Sequence, residues 1–334
     1  MKLTRLSLFL GLVGCLYAQP QPKLVWPSPP DPARIAFAGF ITKSEDLHIK
    51  KSFFSKLWSF FAGQENEALL KPFGLHIDTD QRLYITDTGL KSLIIFSPRE
   101  NKKQIIQSAG KEKFGAIMDV DTDKQGNIYI SDAQKKCIFV LNKHGKFLYK
   151  IGNHESLKRP VGISIDTNKN TLYVTDTLAG TVESFSLEGK HLGTLAKGIL
   201  NRPTYLTLFD QKLYVSDSMN HRIAVLDTSG RLLQSIGKQK NRMGTLANPR
   251  GIAIDSQGHI FVSDTTFHNI QIFNLQGQLL LILGSYGSKA GEFAIPEDIA
   301  ISPGGKIYIA DSYNMRIQML ELLKTSHTDN GSNP

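Results

Sequence analysis

Tyr214-Val215-Ser216-Asp217 and Tyr308-Ile309-Ala310-Asp311 share one pattern: an aromatic, a β-branched residue, a small residue and an aspartate. Four more copies stand elsewhere in the chain: Tyr84-Ile85-Thr86-Asp87, Tyr129-Ile130-Ser131-Asp132, Tyr173-Val174-Thr175-Asp176 and Phe261-Val262-Ser263-Asp264. From aspartate to aspartate the steps are 45, 44, 41, 47 and 47 residues. A period of this length, written in β-favouring residues, fits one four-stranded propeller blade per copy. The fifth copy shows the runs best. They are Gly251-Ile252-Ala253-Ile254-Asp255, Ile260-Phe261-Val262-Ser263, Asn269-Ile270-Gln271-Ile272-Phe273 and residues 278–283, with a Ser256-Gln257-Gly258 turn after the first. Turn residues punctuate runs of about five residues that are apolar on both faces, as stacked blades require.

The length of 334 residues would by itself suggest about two domains, but tandem repeats grow as one body. The expected fold is all-β: a six-bladed β-propeller. The sixth copy has no fourth apolar run after residues 316–323, and an open blade edge is an aggregation hazard. The missing strand stands at the other end, at residues 33–41, whose Ile35-Ala36-Phe37-Ala38-Gly39-Phe40-Ile41 would pair with the last blade and latch the ring. Residues 70–323 then hold the blades, and the polar tail 324–334 is expected to be disordered. Between latch and ring, residues 42–69 form an insertion. Residues 52–62 place Phe53, Phe54, Leu57, Trp58, Phe60 and Phe61 at helical spacing, which predicts a short amphipathic helix before blade one. Such a helix either plugs against the propeller or lies on a membrane or a partner.

The N-terminus carries an address. Lys2 and Arg5 precede an apolar run too short to span a bilayer, so residues 1–18 read as a secretory signal. Two processing readings stand. Leu12-Val13-Gly14-Cys15 resembles a bacterial lipobox, which would lipidate Cys15 and tether the protein to a membrane; ordinary cleavage after Ala18 would release it. We take the first. Residues 19–32 contain six prolines and are expected to be a stiff spacer. With Cys15 lipidated, Cys137 has no partner for a disulfide, and its run Cys137-Ile138-Phe139-Val140-Leu141 marks it as a core residue. The chain carries 39 Lys+Arg against 30 Asp+Glu. An exported basic protein meets anionic lipid or polysaccharide before it meets nucleic acid, and a solvated lysine-rich surface accounts for the excess equally well.

Within the repeats, Asp217-Ser218-Met219-Asn220-His221-Arg222-Ile223 and Asp311-Ser312-Tyr313-Asn314-Met315-Arg316-Ile317 resemble the core of the NHL repeat. So do the linkers with Gly284, Gly287, Gly291-Glu292-Phe293 and Pro296, and with Gly244-Thr245-Leu246 and Pro249. The resemblance spans roughly residues 70–322 and is to exported, lipoprotein-type bacterial members of the NHL-repeat family of six-bladed propellers. Blades one to three depart from it, with Leu90-Lys91, Lys135-Lys136 and Ala179-Gly180 in place of Asn-His or Asn-Met.

The repeat aspartates Asp87, Asp132, Asp176, Asp217, Asp264 and Asp311 recur in every blade, which suits backbone hydrogen bonding rather than catalysis. Positions that differ between copies are the better guide to function. The mouths of the innermost strands read Phe73, Ala116, Val161, Thr204, Arg250 and Glu297, then Gly74, Ile117, Gly162, Tyr205, Gly251 and Asp298. With the adjoining loops this defines a candidate ligand-binding set on blades four to six: Thr204, Tyr205, Asn220, His221, Arg250, Phe267, His268, Glu297, Asp298, Tyr313 and Asn314. Aromatic, amide, imidazole and charged groups converging on a pore mouth suit a small-ligand or peptide site; an Arg250–Glu297 ion pair that only closes the ring is the plainer reading. His76 and Asp119 stand where other copies carry Ser164, Thr207, Ala253 and Ala300, and are read as a satisfied polar pair between blades. The resembling propeller lyases use several inward histidines around a metal, whereas here only His76 falls on an inner strand. We therefore expect no metal and no cofactor, and no motif of a hydrolase, metalloprotease or nucleotide-binding enzyme occurs. The expected function is a non-enzymatic, envelope-tethered, monomeric module that recognises a protein, peptide or glycan on its loop face. The alternative is a propeller hydrolase or lyase with a pore-mouth active site, with or without a metal.

Overall fold

The computed structural model describes residues 24–49, 68–238 and 243–323. The signal segment with Cys15, the expected helix at 52–62 and the tail 324–334 lie outside the described residues. Among the described residues the longest helical element is the four-residue 3-10 turn Ser44–Leu47, and no helix is long and apolar enough to cross a membrane.

Five repeats each fold into an antiparallel sheet of four strands and the sixth supplies three strands of its sheet, giving six blades. The innermost strands are Pro72–Ile77, Ile117–Thr122, Pro160–Asp166, Pro203–Phe209, Pro249–Ile254 and Pro296–Ile301. Each second strand carries the aromatic–aspartate pattern and is almost wholly buried, as in Leu83–Asp87 and Ile260–Asp264. These strands are apolar on both sides because neighbouring blades sandwich them. One such layer joins Tyr129, Ile138 and Val140 of blade two to Ile163, Leu172 and Phe185 of blade three.

The latch strand Ile35–Ile41 pairs antiparallel with Arg316–Leu322 and supplies the fourth strand of blade six, so the ring is closed by the N-terminal strand. The proline-rich segment is not spacer throughout. Val25–Trp26 folds back on Ala36 and Ile35 as a fifth strand, and Trp26 packs against the core of the last two blades. A tryptophan and its apolar neighbours gain more from covering that sheet edge than from extension into water.

Hydroxyl staples join the blades. The small residue before the repeat aspartate reaches a carbonyl of the next innermost strand: Thr86 Oγ1 to Met118 O at 2.9 Å, Ser131 Oγ to Val161 O at 2.5 Å, and Ser263 Oγ to Glu297 O at 3.2 Å. Thr175 donates to Thr204 O in the same way. The small residue of the repeat is thus a connector as well as a spacer.

Candidate functional site

The turns after the second strands and the linkers between blades share one end of the disc, the loop face. The repeat aspartates build it. Asp87 accepts N–H bonds from Leu70 and Lys71 in the linker (2.8 and 3.0 Å) and from Gly89 and Leu90 in the turn (3.0 and 2.9 Å). Asp132, Asp176 and Asp264 hold their own linkers and turns alike. All six aspartates are buried.

Strand pairing sets the layers of the central channel. Pro72 faces Asp87, Pro249 faces Asp264, and in blade two Ile117 faces Asp132. The mouth layer is therefore Phe73, Met118, Val161, Thr204, Arg250 and Glu297, and the next is Gly74, Asp119, Gly162, Tyr205, Gly251 and Asp298. Blade two is shifted by two residues from the sequence reading, which placed Ala116 and Ile117 there. The proline that begins every other innermost strand is Ile117 in this blade, so the usual landmark is missing. The polar pair changes accordingly. The partner of His76 is Asp121, whose Oδ1 lies 3.2 Å from His76 Nδ1, while His76 Nε2 bonds Thr122 Oγ1 at 2.9 Å.

The second layer alternates around the axis. Blades one, three and five carry glycine; blades two, four and six carry Asp119, Tyr205 and Asp298. A Cβ on Gly74 would stand 2.7 Å from Asp119 Cα, on Gly162 2.6 Å from Tyr205 Cα, and on Gly251 2.7 Å from Glu297 O. Only glycine lets the neighbouring strand approach so closely. The three larger side chains fill the room the glycines leave.

Above this layer Arg250 and Glu297 pair at 2.8 Å, with the guanidinium 5.7 Å from the centroid of Phe73. Phe73 and Tyr205 are 6.2 Å apart, centroid to centroid. Below the ion pair, Tyr205 and Asp298 are buried, the hydroxyl of Tyr205 meeting no partner among the described residues. Burial pushes the carboxyl of Asp298 up to about 8, and burial together with the charge of Asp298 pushes Asp119 well above the usual carboxylate range. Tyr205, Asp119, Asp298, His76 and Asp121 line a cavity of about 260 Å³. On the loop side of the ion pair, a depression of about 300 Å³ is lined by Arg159, Arg202, Arg250, Thr204, Met118 and Met219, among others.

The residues expected to bind ligand are thus divided. Thr204 and Arg250 line the depression, and Tyr205 and Asp298 line the inner cavity. Asn220 and Asn314 bond Asp217 and Asp311 at 2.8 and 2.9 Å, so their amides serve the turn. His221 Nδ1 bonds the carbonyl of Ala247, and His268 Nδ1 accepts from Ile295 N–H at 3.2 Å. Phe267 and Tyr313 stay exposed on the rim, with Lys71 Nζ 5.5 Å from the Tyr313 ring centroid. Sequence reasoning missed Arg159 and Arg202. Each stands directly before the proline that opens an innermost strand, where other copies carry Lys71, Asn248 and Ile295, and comparing that position across copies would have exposed them.

Comparison with known proteins agrees with this architecture. The NHL repeat family matches residues 246–273 and 293–319, and a family described as a 6-bladed beta-propeller (DUF5128) matches residues 111–201. The chain is a six-bladed β-propeller carrying NHL repeats. No curated protein matches it. Among solved structures, a streptogramin B lyase superposes with a TM-score of 0.61 at 15% identity, covering 76% of this chain and 94% of that one. An auxiliary nutrient binding protein from Bacteroides thetaiotaomicron gives 0.61 at 13% identity, covering 78% and 71%. The nidogen/laminin complex gives 0.57 at 20%, covering 69% and 84%. At these identities the likeness is one of fold.

Proposed function

We propose that the protein is a non-enzymatic recognition module whose loop face binds an acidic, partly apolar segment of a protein, peptide or glycan of the cell envelope. The observation that carries this is the loop-face depression. Arg159 and Arg202 are exposed beside it with no salt-bridge partner among the described residues, and Leu178 and Met219 stand exposed at its edge. Arginine forks beside apolar side chains are the usual anchors of an interface. Propellers of this fold include an auxiliary nutrient binding protein and a chain of a nidogen/laminin complex. A pore-mouth hydrolase or lyase would draw on Arg250 and Glu297, which are committed to each other. Arrays of acidic peptides and uronate glycans test the reading. Arg159→Ala with Arg202→Ala should weaken capture about tenfold or more, whereas Lys124→Ala with Lys169→Ala, on the opposite face, should leave it unchanged. Equal losses in both pairs, erased by salt, would replace the localised site with diffuse attraction to a polyanion.

We further propose that the module is tethered through lipidated Cys15. Intact-mass analysis of membrane fractions should show a diacylated N-terminal cysteine that Cys15→Ser abolishes. A mature chain beginning at Gln19 would refute the tether.

A further inference from the structure

Exposed large apolar side chains are unevenly shared between the two faces of the disc. The turns opposite the loop face, such as Thr79-Asp80, Lys124-Gln125 and Ser256-Gln257, carry none among the described residues. On the loop face, Phe267, Tyr286, Tyr313, Met315 and Leu70 stand between 44% and 73% exposed along the rim of blades five, six and one. Contacts join them into one patch. The ring of His268, beside Phe267, lies 4.9 Å from that of Tyr286, and the same imidazole accepts the Ile295 N–H. Tyr313 donates its N–H to Ala294 O, and Lys71 Nζ, next to Leu70, lies over the Tyr313 ring. A contiguous apolar patch on one face of a disc marks that face for contact.

The chemistry of the patch selects the partner. The side-chain groups that would read a peptide or a sugar are spent inside the protein: Asn314 donates to Gly287 O and to Asp311, and His268 holds Ile295. What faces solvent is aromatic rings, two of them with hydroxyl tips, a thioether and ammonium groups. Lys71 and Lys289 have no salt-bridge partner among the described residues, and Glu292, the one carboxylate of linker 284–295, accepts the Lys289 N–H at 3.0 Å. Rings with polar tips beside lysine suit the headgroup layer of an anionic bilayer, where the rings reach the acyl boundary and the ammonium groups meet phosphate. The position of the N-terminal segment is a separate observation. Leu24 and Trp26 lie against Gly291 of the same linker, 2.9 and 2.6 Å from where a Cβ would stand. Cys15 stands nine residues before Leu24, a span of at most about 30 Å. On the tether reading, which this one point rests on, the edge of blade six is held within that distance of the membrane.

We propose that the loop-face rim of blades five, six and one docks on an anionic lipid bilayer, with Tyr286, Tyr313 and Phe267 entering the headgroup layer and Lys71 and Lys289 pairing with lipid phosphates. The tether limits how far the disc can stand from the membrane; the rim sets which edge turns towards it. The depression beside Arg159 and Arg202 shares no residue with this rim, its lining coming from blades two to five, so docking leaves it free for its own ligand.

The form beginning at Gln19 keeps every described strand and lacks both the apolar signal run and Cys15, so it tests the rim apart from the tether. It should sediment with vesicles holding about one-third phosphatidylglycerol, and far less with phosphatidylcholine alone. Tyr286→Ser with Tyr313→Ser should lower that partitioning about tenfold, and Lys71→Gln with Lys289→Gln severalfold, each pair melting within about 2 °C of the parent. Leu148→Ser with Leu233→Ser, exposed apolar residues on the outer strands of blades two and four, should leave it unchanged. A parent form that ignores both vesicles would overturn the proposal, as would an equal loss in the outer-strand pair. So would a tyrosine pair that binds like the parent while Trp58→Ser with Phe61→Ser does not, since the contact would then belong to residues 50–67. A tyrosine pair that loses capture of arrayed peptides or glycans, in a parent indifferent to vesicles, would overturn it in favour of ligand recognition by the rim. The Cys15 tether, read by mass, stands or falls separately.

Discussion

Blades four and six close their loop-face turns by a different polar scheme from blades one, two, three and five. In all six, the first residue of the third strand faces the repeat aspartate across the sheet. It is Arg222 and Arg316 in blades four and six, but Ser92, Cys137, Thr181 and Asn269 in the others. Arg222 Nε bonds Asp217 at 2.8 Å and Arg316 Nε bonds Asp311 at 2.7 Å, both pairs buried. The staple moves too. Ser216 has a buried hydroxyl without a partner among the described residues, and Ala310 has none to offer, so the serine after the aspartate takes over. Ser218 Oγ reaches Pro249 O at 2.6 Å, and Ser312 Oγ reaches Pro72 O across the ring closure. One backbone fold is therefore held by two interchangeable side-chain schemes. The arginine scheme is the more strongly coupled, because a buried ion pair with further carbonyl acceptors fails badly when one partner is lost.

The two arginines are not equal, and their removal should show it. Arg316 donates to the carbonyls of Ser288, Lys289 and Glu292, and its guanidinium stacks 4.1 Å from the ring centroid of Phe40 in the latch strand. Arg222 reaches the carbonyl of Ile199 and the hydroxyl of Ser235, with no latch beside it. Arg316→Ala should cost about 3–5 kcal/mol in urea unfolding, by leaving Asp311 buried without its cation. Arg222→Ala should cost about 1 kcal/mol less, the share of the stacked latch contact. Equal losses would mean that the latch draws nothing from Arg316.

The smallest effects sharpen the comparison from the other side. Ser218→Ala and Ser312→Ala each remove a formed staple and should cost about 1 kcal/mol. Ser92→Ala, at the start of the third strand of blade one, removes a buried hydroxyl that has no partner among the described residues, and should fall within about 0.5 kcal/mol of neutral or stabilise. A Ser92→Ala loss as large as that of Ser312→Ala would show that blade one has a staple of its own at that position.

Legibility followed the same division. The repeat aspartates could be recognised as loop builders because a position kept in every copy answers to the backbone, which is the same in every copy. The ligand set on blades four to six could not be read so well. Asn220, Asn314, His221 and His268 look available in sequence but bond main-chain or aspartate groups of their own loops. Arg159 and Arg202 look like ordinary surface charges, and become notable only once three linkers are brought round one depression.

Period, strand pattern and the missing last strand together determined the all-β ring, its six blades and its closure by residues 33–41. These are local or counting properties, and hydrophobic pattern with strand length carries them. The tertiary structure alone decided the register of blade two, and with it which acids meet. A shift of two residues keeps the same side chains inward, so the alternation of buried and exposed positions is blind to it. It nonetheless moves Asp119 into the layer of Tyr205 and Asp298, and leaves Asp121 to His76. The approach of neighbouring innermost strands, close enough to exclude a Cβ at Gly74, Gly162 and Gly251, fixes which side chains share the axis.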